Sequence, residues 1–290
     1  STDDDQFDSK EAVSKIKTTT IKTGDLFQLG QHFLLCGDST NLANVKKLVG
    51  KHKIDVVYSD PIYNINLNYD KGISTKGKYG GTKVSDNKSD EDYSLFLEKT
   101  LTNALAVVKK DAHIFYYSDQ SYIWLIQQLY KKLGIKNQRV CLWVKNSWTP
   151  TLSVGFHKSY EPCTYGTIGS PYLNSNETKL SEILNKEIST GNRSHSDIMD
   201  IFDIWLARRK AGQDYLTPTE KPVTLHEKPL KRCSKPKDRV LDLFGGSGST
   251  LIACEQMNRQ AFLLEIDPIF CEVIIQRYKE LTGKEAILCK

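Results

Sequence analysis

No apolar run in this chain comes near the roughly 20 residues that a bilayer-spanning helix needs, and no basic-then-apolar leader of the secretory kind opens it. Neither a membrane-embedded nor an exported protein is expected. Cysteine is present but arranged unlike a disulfide scaffold or a metal site. The seven residues, Cys36, Cys141, Cys163, Cys233, Cys254, Cys271 and Cys289, are odd in number and no two stand as C-x-x-C. Most lie within apolar runs, which predicts reduced core thiols of a cytoplasmic protein and no metal ligands. Internal repeats are lacking too. So is a strong charge imbalance: the net charge of +5 permits a nucleic-acid partner without requiring one. What remains, 290 residues with 39% hydrophobic and 26% charged, suits one large globular domain or a domain with an insert.

The acidic start, Ser1 to Asp8, reads as part of a mobile leader over residues 1–20. Strands are predicted at His32–Cys36, Ile54–Tyr58, Ala112–Tyr117, Arg139–Val144, Arg239–Phe244 and Ala261–Ile266, with Glu161–Gly166 as a last, edge strand. Helical spacing marks Asn41–Val49, Asp92–Val108, Tyr122–Leu133, Ser249–Met257 and Pro268–Leu281. This alternation predicts an α/β fold with a doubly wound sheet. Two stretches break it. Residues 69–90 are rich in Gly, Lys, Ser and Asp and read as a long mobile loop, functional by its position. Residues 170–216 are polar with aromatic punctuation and read as an insert.

Two turns carry the chemistry. The strand Val56-Val57-Tyr58 stops at Ser59-Asp60-Pro61-Ile62-Tyr63, because proline cannot continue a ladder. A carboxylate, a proline and an aromatic are left at a strand's carboxyl end, where open α/β sheets hold ligands; an ordinary Asp-Pro turn is the plain alternative. The second turn, Phe244-Gly245-Gly246-Ser247-Gly248-Ser249-Thr250, joins a strand to a helix, and its glycines let a ligand approach the backbone. Glu265 closes the next strand, where an acid can accept the hydroxyls of a ribose. A P-loop is excluded because no lysine follows the glycines. The nicotinamide spacing is unmet, since Leu251 stands where the third glycine belongs.

Taken together, the two turns resemble those of the S-adenosylmethionine-dependent amino-methyltransferases of DNA. The order is that of the β-class, in which the catalytic D-P-P-Y motif precedes the F-x-G-x-G cofactor motif. Gly37-Asp38-Ser39, Asp60-Pro61-Ile62-Tyr63, Thr219-Glu220-Lys221-Pro222-Val223, Phe244 to Thr250 and Glu265-Ile266-Asp267-Pro268 all match in sequence. The match spans about residues 24–170 and 217–285. Within the class, Gly24 to Thr40 is similar to methylases found fused to ParB-like domains. The resemblance implies a mostly parallel, seven-stranded Rossmann-like sheet. It divides the chain into a catalytic half at 21–169, a target-recognition insert at 170–216 and a cofactor-binding half at 217–290.

By the same resemblance, the Asp60 carboxylate and the Pro61 carbonyl accept the two hydrogens of the target amine, and Tyr63 stacks on a base flipped out of the duplex. Ile62 stands where the family has a second proline, which predicts a looser turn. S-adenosylmethionine is the implied cofactor. Glu265 is assigned to its ribose, Asp38 to its adenine amino group, and Gly245, Gly246 and Gly248, flanked by Asp242 and Phe244, to its methionine portion. Lys221 is a candidate for the cofactor carboxylate, with a solvated lysine as the plain alternative. Arg193, His195, Arg208, Arg209 and Lys210 are the implied contacts to double-stranded DNA. The last three could equally be the exposed face of a helix burying Phe202 and Trp205. A homodimer and a cognate restriction endonuclease are partners that the family admits. An adenine-N6 enzyme leads because Asp heads the tetrad, where cytosine-N4 enzymes of the family more often carry Ser. Ser59, directly before it, keeps the cytosine enzyme as the alternative. A non-catalytic DNA-binding protein of the same fold and a nicotinamide oxidoreductase complete the readings.

Overall fold

The computed structural model describes residues 2–65, 86–149, 155–156, 158–174, 203–207 and 220–289. Among these residues ten strands form one sheet: β1 (Leu26–Leu29), β2 (His32–Cys36), β3 (Ile54–Ser59), β4 (Val108–Tyr117), β5 (Lys136–Thr149), β6 (Lys158–Ile168), β7 (Ile204–Leu206), β8 (Arg239–Asp242), β9 (Gln260–Glu265) and β10 (Ile287–Cys289). Their order is β10-β1-β2-β9-β8-β3-β4-β6-β5-β7. The stretch from β2 to β5 is the expected seven-stranded core; the short strands β10, β1 and β7 extend it at the two edges. Pairing within the core is parallel except for β6, which runs antiparallel to both β4 and β5.

Glu161–Gly166 is therefore not an edge strand. It is the middle of β6, enclosed between β4 and β5. Alternation of apolar residues carries no information on where in the sheet a strand inserts, so the sequence could not show this.

Both faces are covered, as near-continuous apolar strands require. Along β3, Val56 and Tyr58 point into one cluster with Leu34, Val240 and Leu263, while Ile54 and Val57 point into the other with Leu35, Leu241 and Leu264. Helices α2 (Leu42–Val49), α3 (Asp90–Leu105) and α4 (Ile123–Lys132) cover the second face; α5 (Glu227–Cys233), α6 (Ser249–Gln256) and α7 (Pro268–Thr282) cover the first. The helix starts are locally encoded. Ser89 caps α3 by accepting from the Asp92 N–H, and Asp267 caps α7 by accepting from Ile269, with Pro268 in the first turn.

The leader is docked. Phe7 and Ala12 pack on Val273, and α1 (Ser9–Lys15) is capped by Asp8. Asp5 makes a two-pronged pair with Arg277 at 2.6 and 2.7 Å, Asp4 accepts from Thr224, and the Thr2 N–H donates to Glu227. Acidic composition suggested solvation; a buried arginine on α7 explains why these acids are held instead.

Trp205 lies in β7, paired with β5, so it is buried by a strand and not by a helix. Phe202, Arg193, His195, Arg208, Arg209 and Lys210 lie outside the described residues, as does most of the predicted 69–90 loop, from which α3 emerges at Asp90. No helix among the described residues is long and apolar enough to cross a membrane.

Candidate active site

Four neighbouring parallel strands, β2, β9, β8 and β3, end side by side. Their carboxyl ends deliver Asp38, Glu265, the glycine turn and Asp60 in that order. Between β8 and β3 the winding of the chain reverses, which is where a doubly wound sheet opens a crevice. The fold thus brings together two turns that stand far apart in the sequence.

In the glycine turn, Gly246 and Gly248 adopt φ of +52° and +85°, which side chains resist. A Cβ on Gly245 would stand 3.2 Å from Ile274 Cδ1. Asp242 braces the turn from beneath: one oxygen accepts the Phe244 N–H at 3.0 Å and the other the Thr250 hydroxyl at 2.7 Å. Burial pushes its carboxyl up to about 7, with those donors opposing the rise. Both of its oxygens serve the turn, so its contribution to a ligand is indirect.

Glu265 accepts from the Gly246 N–H at 2.7 Å and the Asp267 N–H at 2.9 Å, and burial raises it to about 7 despite those bonds. The Gly37 N–H donates to the Glu265 carbonyl, tying β2 to β9 beside Asp38. Asp38 itself accepts from the backbone and hydroxyl of Thr40. A glycine turn flanked by two carboxylate acceptors fits a nucleoside bearing vicinal hydroxyls and an amino group.

Behind the turn stands Arg277, 1% exposed. It donates to the carbonyl and hydroxyl of Ser247, while the Ser247 hydroxyl donates to Glu220 at 2.8 Å. Asp5 supplies the nearer balancing charge and Glu220, at 3.7 Å, a second. This bracing was invisible in the sequence, since its members are separated by most of the chain.

At the end of β3, Asp60 is 21% exposed in its side chain. Its Oδ2 accepts from Lys221 Nζ at 2.5 Å; its Oδ1 is buried and has no hydrogen-bond partner among the described residues. Lys221 also donates to Tyr63 Oη at 3.0 Å and Glu161 Oε2 at 3.3 Å, and sits 4.2 Å from the ring centre of Tyr117. Lys221 is 5% exposed overall, which rules out the solvated reading. Its ammonium is directed at Asp60. Burial alone would lower its pKa, but Asp60 and Glu161 hold it above the ordinary lysine value. Burial raises Asp60 above the usual carboxylate range, with Lys221 opposing and Glu161 adding to the rise. Glu161 lies at about 2: burial would raise it, but Lys221 and Lys145 together pull it down.

Tyr63 is 4% exposed, its hydroxyl donating to Glu161 at 2.9 Å. Its ring is packed into the base of the site, with Lys221 over it at 5.4 Å. Ile62 does not leave the turn loose. Its carbonyl accepts from Tyr93 at 2.7 Å, and Asn64, at φ +55°, bonds Lys88 on both its amide oxygen and nitrogen. Ser59 lies within β3, wholly buried, its hydroxyl accepting from the Leu243 N–H. The acid of the turn is Asp60 alone.

Comparison with known proteins gives the family. Residues 54–277, most of the chain, match the N6/N4 family described as DNA methylase. The chain belongs to that family. It is a DNA methyltransferase acting on an exocyclic base nitrogen, N6 or N4. Among curated relatives, the type II methyltransferase M2.MboI of Moraxella bovis is 24% identical over 239 residues, covering 80% of this chain and 82% of that protein. Among solved structures, the M1.HpyAVI–SAM complex superposes with a TM-score of 0.57 at 18% identity, covering 84% of this chain and 98% of that one. The cytosine-N4-specific PvuII methyltransferase gives a TM-score of 0.57 at 14% identity, covering 87% and 93%. Both structural likenesses are likenesses of fold.

Proposed function

We propose that this methyltransferase transfers the methyl group of S-adenosylmethionine to the N6 amino group of adenine in double-stranded DNA, at a specific sequence and on a base flipped out of the helix. The observation that carries this reading is the unpartnered Asp60 Oδ1. A buried carboxylate oxygen without a donor is costly, and an exocyclic N–H brought into the crevice supplies one. The amine is a weak nucleophile because its lone pair is delocalised into the ring. An acceptor at each N–H favours the tetrahedral nitrogen of the transition state, so the stabilisation is largest where it raises the rate. Asp60 supplies one acceptor and the Pro61 carbonyl the other. The raised pKa of Asp60 suits a group that takes the proton shed by the nitrogen.

The cofactor, when bound, supplies an electrophilic methyl group on a sulfonium. Glu265 would hold its ribose hydroxyls, Asp38 its adenine amino group and the Gly245–Gly248 backbone its methionine portion. Ser59 is walled into the strand, which leaves Asp60 as the acceptor and favours adenine over the cytosine-N4 alternative. DNA contact falls to the 170–216 insert with Arg193, His195, Arg208, Arg209 and Lys210. A cognate endonuclease, a homodimer and a cytoplasmic site of action accompany this reading.

Unmethylated duplex DNA incubated with the protein and labelled S-adenosylmethionine, then digested to nucleosides, tests it. Label in N6-methyladenine is expected. Label in N4-methylcytosine would overturn the choice of base, and label in neither would overturn the activity.

A further inference from the structure

Glu161 is a buried anion that no part of the proposed chemistry uses. It sits on β6, opposite Trp143 of β5, and is 7% exposed. One oxygen accepts from Lys145 Nζ at 3.0 Å; the other accepts from Tyr63 and Lys221. Lys145 is itself buried, at 8% exposure of its side chain. Two acids and two lysines thus balance in one cluster, which is how buried charges are tolerated. The cluster is not symmetric. Lys221 reaches one oxygen of Asp60 and leaves the other unmet, although an ammonium has three protons to give. Its other protons are taken by Glu161 and Tyr63, and Tyr63 is fixed by Glu161 in turn.

We propose that Glu161 is a positioning residue for methyl transfer: by drawing on Lys221 and Tyr63 it limits Lys221 to one oxygen of Asp60 and keeps the other free as an acceptor. Without its pull, Lys221 is free to bridge both oxygens of Asp60 and occupy the acceptor that the amine needs. Glu161 also keeps Lys221 charged and in place while Asp60 carries a proton, because one anion of the pair then remains. Lys221 and Lys145 together hold Glu161 ionised against its burial. The inference rests on the methyl-transfer reading, but its geometry can be tested apart from it.

The test compares Glu161→Gln, Lys145→Met and the double variant with the wild type, in turnover and in a carboxyl ¹³C NMR titration of Asp60 in the ligand-free protein. Asp60 is faced by Lys221, by Glu161 and Cys163 of β6, by Asp242 of β8, and by the phenols of Tyr58, Tyr63 and Tyr117. Of these acids, Glu161 is the one removed, and its anion pushes Asp60 up. Glu161→Gln should therefore titrate Asp60 at lower pH and move the acid limb of kcat to lower pH. Turnover should fall about ten- to a hundredfold, as for a misplaced catalytic group, with S-adenosylmethionine affinity within about twofold of wild type. Glu161→Gln also leaves Lys145 buried without its partner, and the double variant removes that burden. If the double variant recovers wild-type turnover, the role is structural and the inference is overturned. It is overturned equally if Glu161→Gln leaves both the Asp60 titration and kcat unmoved. If the wild type methylates no DNA while the titration shifts as stated, the ion-pair geometry stands and the functional reading fails.

Discussion

Asp60 and Glu265 end parallel strands only two positions apart in the sheet, yet they are held in opposite ways. Glu265 has both oxygens on backbone N–H groups, from Gly246 and Asp267, supplied by the turns beside it. Asp60 has one oxygen on an ammonium and the other, among the described residues, on no donor, and its surroundings are charged side chains from β5, β6 and the segment before α5. A backbone cradle is fixed once the turns fold and survives most side-chain changes nearby. A side-chain cluster can be retuned, or broken, by one substitution. The cofactor end is thus rigid by construction, and the catalytic end is set by electrostatic balance.

The sharpest way to break this contrast is to remove the acid of the balanced cluster. Asp60→Ala should lower turnover by about a hundred- to a thousandfold, the usual result of deleting one transition-state acceptor or donor, while calorimetry finds S-adenosylmethionine affinity nearly unchanged. Near-normal methylation would remove Asp60 from the chemistry. Next in size is Asp5→Ala, which removes the two-pronged partner of buried Arg277 and leaves it only the longer ion pair to Glu220 at 3.7 Å among the described residues. Denaturant unfolding should show a loss of about 3 kcal/mol. Because Arg277 holds Ser247, cofactor affinity should fall with it. An unchanged midpoint would make the leader irrelevant to the turn.

Glu265→Ala comes third. The backbone cradle survives, so the protein should fold normally and lose only the ribose contact, about 1.5–3 kcal/mol or ten- to a hundredfold in affinity by calorimetry. Equal affinity would put the ribose elsewhere. The smallest effect is expected of Ile62→Pro. Read from sequence, the isoleucine costs the order of a residue's backbone freedom, about tenfold in rate. With Tyr93 and Asn64 already pinning the turn, steady-state turnover should change by less than about threefold. A tenfold rise would mean that the turn moves during catalysis in spite of those bonds.

These differences also explain what could be read from the chain beforehand. The glycine turn, Glu265 and the strands that carry them are local patterns, so residue type and spacing announce them. The Asp60 turn was equally plain, because a proline after a β-favouring run must end the strand. Lys221 was visible as a residue but not in its role, since nothing near it in sequence says that Asp60 lies against it. Glu161 and Lys145 carried no signal beyond a charge in an apolar strand, which in hindsight is the one clue available: Lys145 and Glu161 interrupt runs that otherwise bury Trp143 and Cys163. The acidic leader misled because charged segments are usually solvated, and the buried arginine that holds it comes at the other end of the chain.

The interleaving of the sheet has a consequence for how the chain is made. Strands β2 and β3 follow one another in sequence but are kept apart by β8 and β9, which are synthesised long after both. Until those two arrive, the emerging chain carries two unpaired parallel edges and no way to close the gap between them. Long-range parallel pairing of this sort is slow, because the loop-closure entropy falls due before the contacts that offset it. A truncated product ending before β8 would expose both edges to other chains. Asp60 and Glu265 therefore meet only once β9 has emerged, and a chain that stops before it lacks the crevice altogether.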